Sequence, residues 1–345
     1  MALIKLNNRS SEDNAIHGRR NLIINGAMQV AQRGTSVASS SGSVVRCVDR
    51  YRCFTRGAGA ATFSQTSTVP TGQGFANSLR VDVTTVDSSL DSNDLYLIDQ
   101  KIEGQDLQQL AKGTSDAKSV TASFWVRSTK TGTYILGLFD DDNNRMISKT
   151  YNISSADTWE YKTITFEGDT TGVLDNDNNS SFTLRWNLGA GTSYTSGTLA
   201  TSWEASVTAN QAVGQVNFFD STSNDFYITG VQLEVGDTAT PFEHRSYGEE
   251  LSLCGRYYQK WADVNWILGV EGTRNTKLPF QFSTLMRANP TCTISGGSAT
   301  NGALAGTGVV DPKKEMVNLH FWRGVSGGLV NATFSGYTLV ADAEL

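Results

Sequence analysis

Residues 226–246 read FYITGVQLEVGDTATPFEHRS, and the periodicity of this stretch decides the fold. Phe226 and Ile228 alternate with polar neighbours, the period-two signature of a strand with one buried face. At Gly230 the phase flips, and Val231, Leu233 and Val235 carry the apolar positions onward. A glycine at a phase flip predicts a β-bulge, where one extra residue turns the following side chains to the other face. All five apolar residues are therefore expected to enter one core. A turn over 236–240 and Pro241 come next. Ser246 and Glu249 then have the spacing of a capping box, in which each side chain satisfies a free N–H at a helix start. Leu251, Cys254, Tyr258 and Trp261 recur at three- and four-residue spacing, which predicts a short amphipathic helix over 246–261. One β domain is expected before this hinge and a smaller one after it.

Upstream, strand patterns recur at roughly ten-residue spacing with no helices between them, which argues for an antiparallel sandwich. Residues 78–83 (SLRVDV) alternate cleanly, and residues 94–103 form a further strand. The clearest strand is 119–127: Val120, Ala122, Phe124 and Val126 share one face, and Thr121, Ser123, Trp125 and Arg127 the other. Residues 134–139 read as a central strand, 159–166 alternate again, and Phe182, Leu184, Trp186 and Leu188 form another inward row. The expected fold class is all-β: an antiparallel jelly-roll β-sandwich over 44–245, the linker helix over 246–261 and a small β domain over 262–345. Strand candidates in the last domain are 267–270, 278–282, 291–295, 317–321, 332–334 and 337–341. Residues 1–20 are polar and unpatterned, and 34–43 are a Ser/Thr/Ala/Gly loop. Residues 1–43 are thus expected to be an arm that orders against a partner.

Composition narrows the function. The 345 residues suffice for two domains, and 39% are hydrophobic, enough for a packed core. A net charge of −6 disfavours non-specific binding to nucleic acid or anionic membrane. No run approaches the roughly 18 apolar residues that span a bilayer, so no membrane insertion is expected. The first residues have no apolar core, so no secretory signal is expected. The four cysteines show no zinc-ligand spacing; Cys47 and Cys53 are close enough in sequence to bridge neighbouring strands, but free buried thiols are expected.

The sequence carries no HExxH, GxSxG, P-loop or dinucleotide fingerprint. Gly324 begins a GVSGG run that only half matches a nucleophile elbow. His17, His244 and His320 are scattered; His17 lies in the polar arm, and His244 in the hinge is expected to play a structural role. Glycoside hydrolysis needs only two carboxylates, and Glu103, Glu160, Glu204 and Glu234 are candidates; solvated or paired acids are the plainer reading. No catalytic residue and no cofactor are expected. Two tracts, DDDNN from Asp140 and DNDNN from Asp175, are oxygen-rich enough to consider as calcium loops, with Asp175 and Asp177 as ligands. Both compositions are equally those of turns.

Aromatics on polar faces are the best ligand candidates, because a sugar ring has an apolar face that stacks on Trp or Tyr while its hydroxyls need polar partners. Trp125 stands on the polar face of its strand. Tyr194 and Trp203 lie in a Ser/Thr-rich stretch. In the last domain His320, Trp322 and Arg323 precede the GVSGG turn. Packing under a loop or against another subunit is the competing reading for each.

Residues 231–261, VQLEVGDTATPFEHRSYGEELSLCGRYYQKW, resemble a segment of tail-fibre and other appendage proteins of tailed bacteriophages. In those proteins it closes a carbohydrate-binding-module-like jelly roll and precedes a short C-terminal β domain. Residues 21–36, NLIINGAMQVAQRGTS, resemble their usual opening, and Asp49-Arg50-Tyr51 resembles their DRW element with Tyr in place of Trp. LPFQFSTLMRANPTCTIS from Leu278 and the terminal ADAEL fit the same pattern. The resemblance implies a homotrimeric virion appendage, made in the host cytoplasm, attached to other virion proteins through residues 1–43 and binding host-surface glycan. A capsid-surface decoration protein without a receptor role remains open. So, with less support, do a glycan-degrading tailspike, which usually needs a long β-helix, and a secreted carbohydrate-binding module.

Overall fold

The computed structural model describes residues 19–270, 276–300, 304–323 and 330–345. In chain order the first strands are β1 (Ser36–Ala38), β2 (Ser43–Val45), β3 (Arg52–Arg56), β4 (Ala60–Thr66), β5 (Ser78–Thr85), β6 (Leu95–Glu103) and β7 (Val120–Ser128). They continue with β8 (Gly132–Asp140), β9 (Arg145–Ile153), β10 (Glu160–Phe166), β11 (Ser180–Ala190), β12 (Glu204–Ala205) and β13 (Asp225–Val235), with a single turn of helix, α1 (Thr192–Thr195), before β12. Two antiparallel sheets result, ordered β1-β4-β5-β13-β7-β10 and β12-β9-β8-β11-β6-β3-β2. They face each other as a jelly-roll sandwich.

The bulge in β13 forms where the phase flips. Its register against β7 shifts between Thr229 and Gln232, and Gly230 has φ +62°, the left-handed region that favours glycine. Phe226, Ile228, Val231 and Leu233 are fully buried, with Val235 half-buried beside them. The inward row of β7 joins them, Phe124 meeting Trp186 of β11 edge-on at 5.7 Å. Each such side chain contributes about 2 kcal/mol by leaving water.

The expected boundary at residue 43 is displaced. Residues 1–18, His17 included, lie outside the described residues, but from Asn21 onward the chain belongs to the sandwich. Ile23 and Met28 are fully buried in its core, and β1 pairs with β4. Asn21 explains the docking: its Nδ2 donates to Val231 O and its Oδ1 accepts from Leu233 N, each at 3.0 Å. Leu22 N bonds Leu233 O and Val231 N bonds Gly26 O, so residues 21–26 run along the bulged strand.

The linker helix is shorter than its spacing suggested. α2 (Tyr247–Gly255) starts at the expected cap, Ser246 Oγ accepting from Glu249 N, but Tyr258 and Trp261 lie on the next strand, β14 (Tyr258–Val270). The same residues satisfy both periods, and pairing with the end of the chain decides for strand. β14 joins β16 (Thr291–Thr300) and β19 (Val330–Asp342) in one antiparallel sheet, ordered β14-β19-β16. β15 (Thr276–Gln281), β17 (Leu304–Val310) and β18 (Met316–Arg323) form the other, ordered β15-β18-β17. Val317, Leu319, Phe334, Tyr337 and Leu339 fill the space between these two sheets. The sequence showed neither β17, which is glycine-rich, nor that 332–341 is one strand bent at Gly336.

The C-terminal residues return to the sandwich. Arg50 pairs with Glu344 and lies 3.3 Å from the Tyr257 ring centroid; Arg33 bridges Asp342 at 3.1 Å and Glu344 at 3.4 Å. Burial pushes the Glu344 carboxyl up, but Arg50, Arg33 and Arg46 together hold it below its ordinary value. Across the same junction, Glu103 takes two hydrogen bonds from Arg256, at 3.0 and 2.7 Å.

The DDDNN tract forms a turn at 141–144, and its first residue, Asp140, is held by a side-chain cation. Asp140 receives the ammonium of Lys112 at 2.5 Å. That buried ammonium also meets Asp169 at 3.0 Å and the carbonyls of Thr171 and Gly172 at 2.7 and 2.9 Å. A side-chain cation thus occupies the oxygen cage. All four cysteines are free thiols, and burial pushes Cys47 up to about 11.

Two outcomes follow. Lys112→Met leaves two buried carboxylates facing an apolar chain and is expected to cost about 3–5 kcal/mol, measured by urea unfolding. Burial lifts Asp49 from 3.8 to about 6, against hydrogen bonds from Gln32 and the charge of Arg33. Because the folded value lies above the unfolded one, the folded state takes up a proton as pH falls through that range. Asp49 thereby adds about 1 kcal/mol of stability between about pH 7 and pH 5. Urea midpoints at the two pH values should show this gain in the wild type and lack it in Asp49→Asn.

Candidate functional site

The alternation of β7 sends Trp125 to the outer face of the six-stranded sheet, as its sequence face implied. On the neighbouring edge strand β10, Tyr161 lies directly opposite Trp125 in register. The two rings are 5.3 Å apart and tilted by 44°. Tyr161 is 44% exposed, so together they offer an open aromatic floor.

A wall rises beside this floor. The chain leaves β13 through residues 236–240 and turns back at Pro241. Phe242 and His244 then pack with Phe75, the three rings 4.9–5.3 Å apart. The bulge makes room for this cluster: a Cβ at Gly230 would lie 2.6 Å from Phe75 Cζ. Floor and wall enclose an open groove of about 500 Å³, with Gln73 and Thr240 among its polar lining. Aromatic faces beside a few placed polar groups suit a polyhydroxylated ring.

Buried polar groups fix the wall. Glu234 accepts from Thr240 N at 2.8 Å and Thr240 Oγ1 at 2.6 Å, and Gln232 Oε1 accepts from Glu243 N at 2.8 Å. The Glu243 carboxylate takes the backbone N–H groups of Arg20 and Asn21, each at 2.9 Å. Burial pushes Glu243 up, but these N–H groups and Arg245 outweigh it and hold it below its ordinary value. The N-terminal segment thus pins the groove wall.

Of the ligand candidates proposed from sequence whose side chains are described, Trp125 alone lines this groove. Tyr194, on α1, packs against Leu95, Leu97 and Ala212 over the other sheet and accepts a hydrogen bond from Arg56. Trp203 stacks on Phe182 at 6.0 Å and donates its Nε1–H to Glu167 O at 2.7 Å; its ring lies 5.4 Å from the Lys112 ammonium. Both are placed as packing residues. His320 is half-buried on β18, opposite Lys277 and Gly308. The side chains of Trp322 and Arg323, and the GVSGG turn, lie outside the described residues. Asp177 caps its own turn through Asn179 N at 2.9 Å. Asp175 O accepts from Gln108 Nε2 at 3.1 Å, and Asn178 O of the same turn accepts from Arg287 Nε at 3.1 Å, across the junction. The tract works as a turn and a contact; among the described residues no group of three or more His, Cys, Asp or Glu is placed to hold a metal ion.

Sequence reasoning missed Phe75, Tyr161 and Phe242 and assigned His244 to the hinge alone. For Tyr161 a signal existed, since it shares the polar phase of its strand with Thr163 and Thr165. For the others nothing local marked a groove.

Compared with known protein families and with curated proteins, the sequence finds no match. Among solved structures, the chain is similar to the enzymatically active domain of tailspike protein 4 of bacteriophage CBA120, at 13% identity and TM-score 0.31. That match covers 62% of this chain but only 21% of the tailspike chain. It is also similar to a family 11 carbohydrate-binding module from Clostridium thermocellum solved with a mixed-linked tetrasaccharide, at 11% identity, 60% and 99% coverage and TM-score 0.30. The TmCBM61 module solved with β-1,4-galactotriose matches at 10% identity, 63% and 99% coverage and TM-score 0.30.

Glu243→Ala strands two backbone N–H groups and should cost about 1–3 kcal/mol, read from thermal unfolding. The freed wall should also broaden the His244 imidazole signals in NMR spectra.

Proposed function

We propose that this chain is a non-enzymatic glycan-binding subunit of a bacteriophage virion appendage, a tail fibre that recognises the host surface. The observation that carries the binding reading is the groove of Trp125, Tyr161, Phe75, Phe242 and His244. Flat apolar rings beside amide, hydroxyl and imidazole groups offer a sugar both stacking and hydrogen bonds. Individual sites of this kind bind weakly, and repetition on one particle raises avidity by roughly 10²–10⁴. The homotrimer implied by the resemblance would supply that repetition.

The appendage reading rests on the stretches that resemble such proteins. The structure brings four of them into contact: residues 21–26, Asp49-Arg50, residues 231–258 and the terminal ADAEL. Attachment to other virion proteins, expected of residues 1–43, is proposed for the part ahead of Asn21, since the rest of that stretch is built into the sandwich.

Binding without hydrolysis is favoured by where the candidate acids lie. Glu103 is committed to Arg256, Glu160 to Lys162 at 2.6 Å, Glu204 to Asn210 at 2.7 Å and Glu234 to Thr240. A hydrolase needs two carboxylates facing one bond, and these four serve separate structural contacts.

Trp125→Ala is expected to lower affinity for intact host cells or their purified surface polysaccharide by about tenfold or more without changing the fold. Unchanged binding would remove the groove from the function. An antibody against the chain should label the distal tail in electron micrographs of the particle. Label spread over the capsid would favour a decoration protein, and sugar release from the polysaccharide would favour a tailspike enzyme.

A further inference from the structure

The sheet face next to the groove carries a second constellation. One step along β7 from Trp125, Arg127 points the same way, about 7 Å on by strand geometry. It lies opposite Tyr227 of β13, which in turn lies opposite Arg80 of β5. The Arg127 guanidinium sits 5.2 Å from the Tyr227 ring centroid, and Trp159 meets that ring at 6.1 Å with planes at 60°. The guanidinium therefore lies beside an aromatic pair. Its Nη2 meets Asp157 Oδ1 at 3.1 Å, and that carboxylate is 57% exposed. Asp157 is fixed in turn, with φ +55° and its N–H on Ser128 O at 2.9 Å.

This pair presents a donor fork and an acceptor side by side, one residue-pair beyond the stacking floor. Two adjacent hydroxyls of a pyranose match it, one accepting from Arg127 and one donating to Asp157. The exposed ion pair itself contributes little stability, so it can open to receive them. The local charge argues against an acidic sugar. Arg80 is already held by Asp225 at 2.7 Å and Asp82 at 3.4 Å, so two guanidinium groups face three carboxylates. A carboxylate or phosphate placed at Arg127 would meet Asp157 within the same contact, on a chain of net charge −6.

We infer that the groove continues into a second subsite at Arg127 and Asp157, and that its ligand is an uncharged oligosaccharide of at least two residues. The first residue stacks on Trp125 and Tyr161, and the next is read by the Arg127–Asp157 pair. This inference rests on the glycan reading of the groove.

The test uses the full chain on a printed array of bacterial surface polysaccharides, neutral ones beside ones bearing uronic acid, sialic acid or phosphate. Wild type, Arg127→Ala and Trp125→Ala are compared. Neutral glycans should dominate wild-type binding. Oligosaccharides cut from a bound polysaccharide should compete about tenfold better than its monosaccharides. Arg127→Ala should erase that chain-length gain, and Trp125→Ala should lower binding of every glycan by about tenfold or more. Acidic glycans dominating the array would overturn the inference while leaving the groove intact. So would an undiminished chain-length gain in Arg127→Ala. Undiminished binding in Trp125→Ala, or a wild type that binds nothing, sinks the groove reading itself. Thermal unfolding of each variant confirms that losses do not reflect misfolding.

Discussion

Everything in this molecule is anchored where Asn21 inserts its carboxamide against the bulge of β13. A bulge leaves backbone groups out of register, and burying them unpaired would cost about 1–3 kcal/mol each. Asn21 and the backbone of Leu22 and Gly26 satisfy them from a segment 210 residues away in sequence. The bulge is thereby affordable at the centre of the six-stranded sheet. Without it Val231 and Leu233 would face solvent and Phe75 would lose its place over Gly230. The inward row of β13 and the groove wall both follow from this one docking.

The junction uses a different currency. Arg33, Arg50 and Arg256 reach from one side or the other to Asp342, Glu344 and Glu103, with Tyr257 and Tyr258 stacked under two of the guanidinium groups. Breaking one member of such a buried set is costly because its partner stays buried and charged. The network therefore orients the smaller domain more strictly than apolar packing alone would, since planar guanidinium–carboxylate pairs tolerate little misalignment.

How much of this was legible follows from how far apart the partners lie. The β13 phase flip, the inward rows of β7 and β11 and the Ser246 cap depend on neighbours within a few residues, and their patterns stand in the sequence. The groove was half legible. The outward face of Trp125 could be read, but its pairing with Tyr161 needs the β7–β10 register, and the Phe75–Phe242–His244 wall joins residues about 170 apart. Tyr258 and Trp261 were ambiguous in kind, because their spacing fits both a helix stripe and a strand that turns at a junction; contact with Asp342 and Leu339 decides it. In the DDDNN tract, turn formers and cation ligands share a composition, and only the position of Lys112 shows that Asp140 holds an ammonium.

The strand that opens the smaller domain and the strand that closes it pair at their bases, Tyr258 against Asp342, and Ala343 N then bonds Tyr257 O. The chain thus departs and comes back through one doorway. Such an arrangement makes residues 259–341 a detachable cassette. A different small domain could be exchanged between those two neighbouring points while the doorway, with its arginines and carboxylates, stays as it is. Sequence change within the smaller domain would then leave the sandwich as it is, with the contact of Arg287 on Asn178 as the tie to keep.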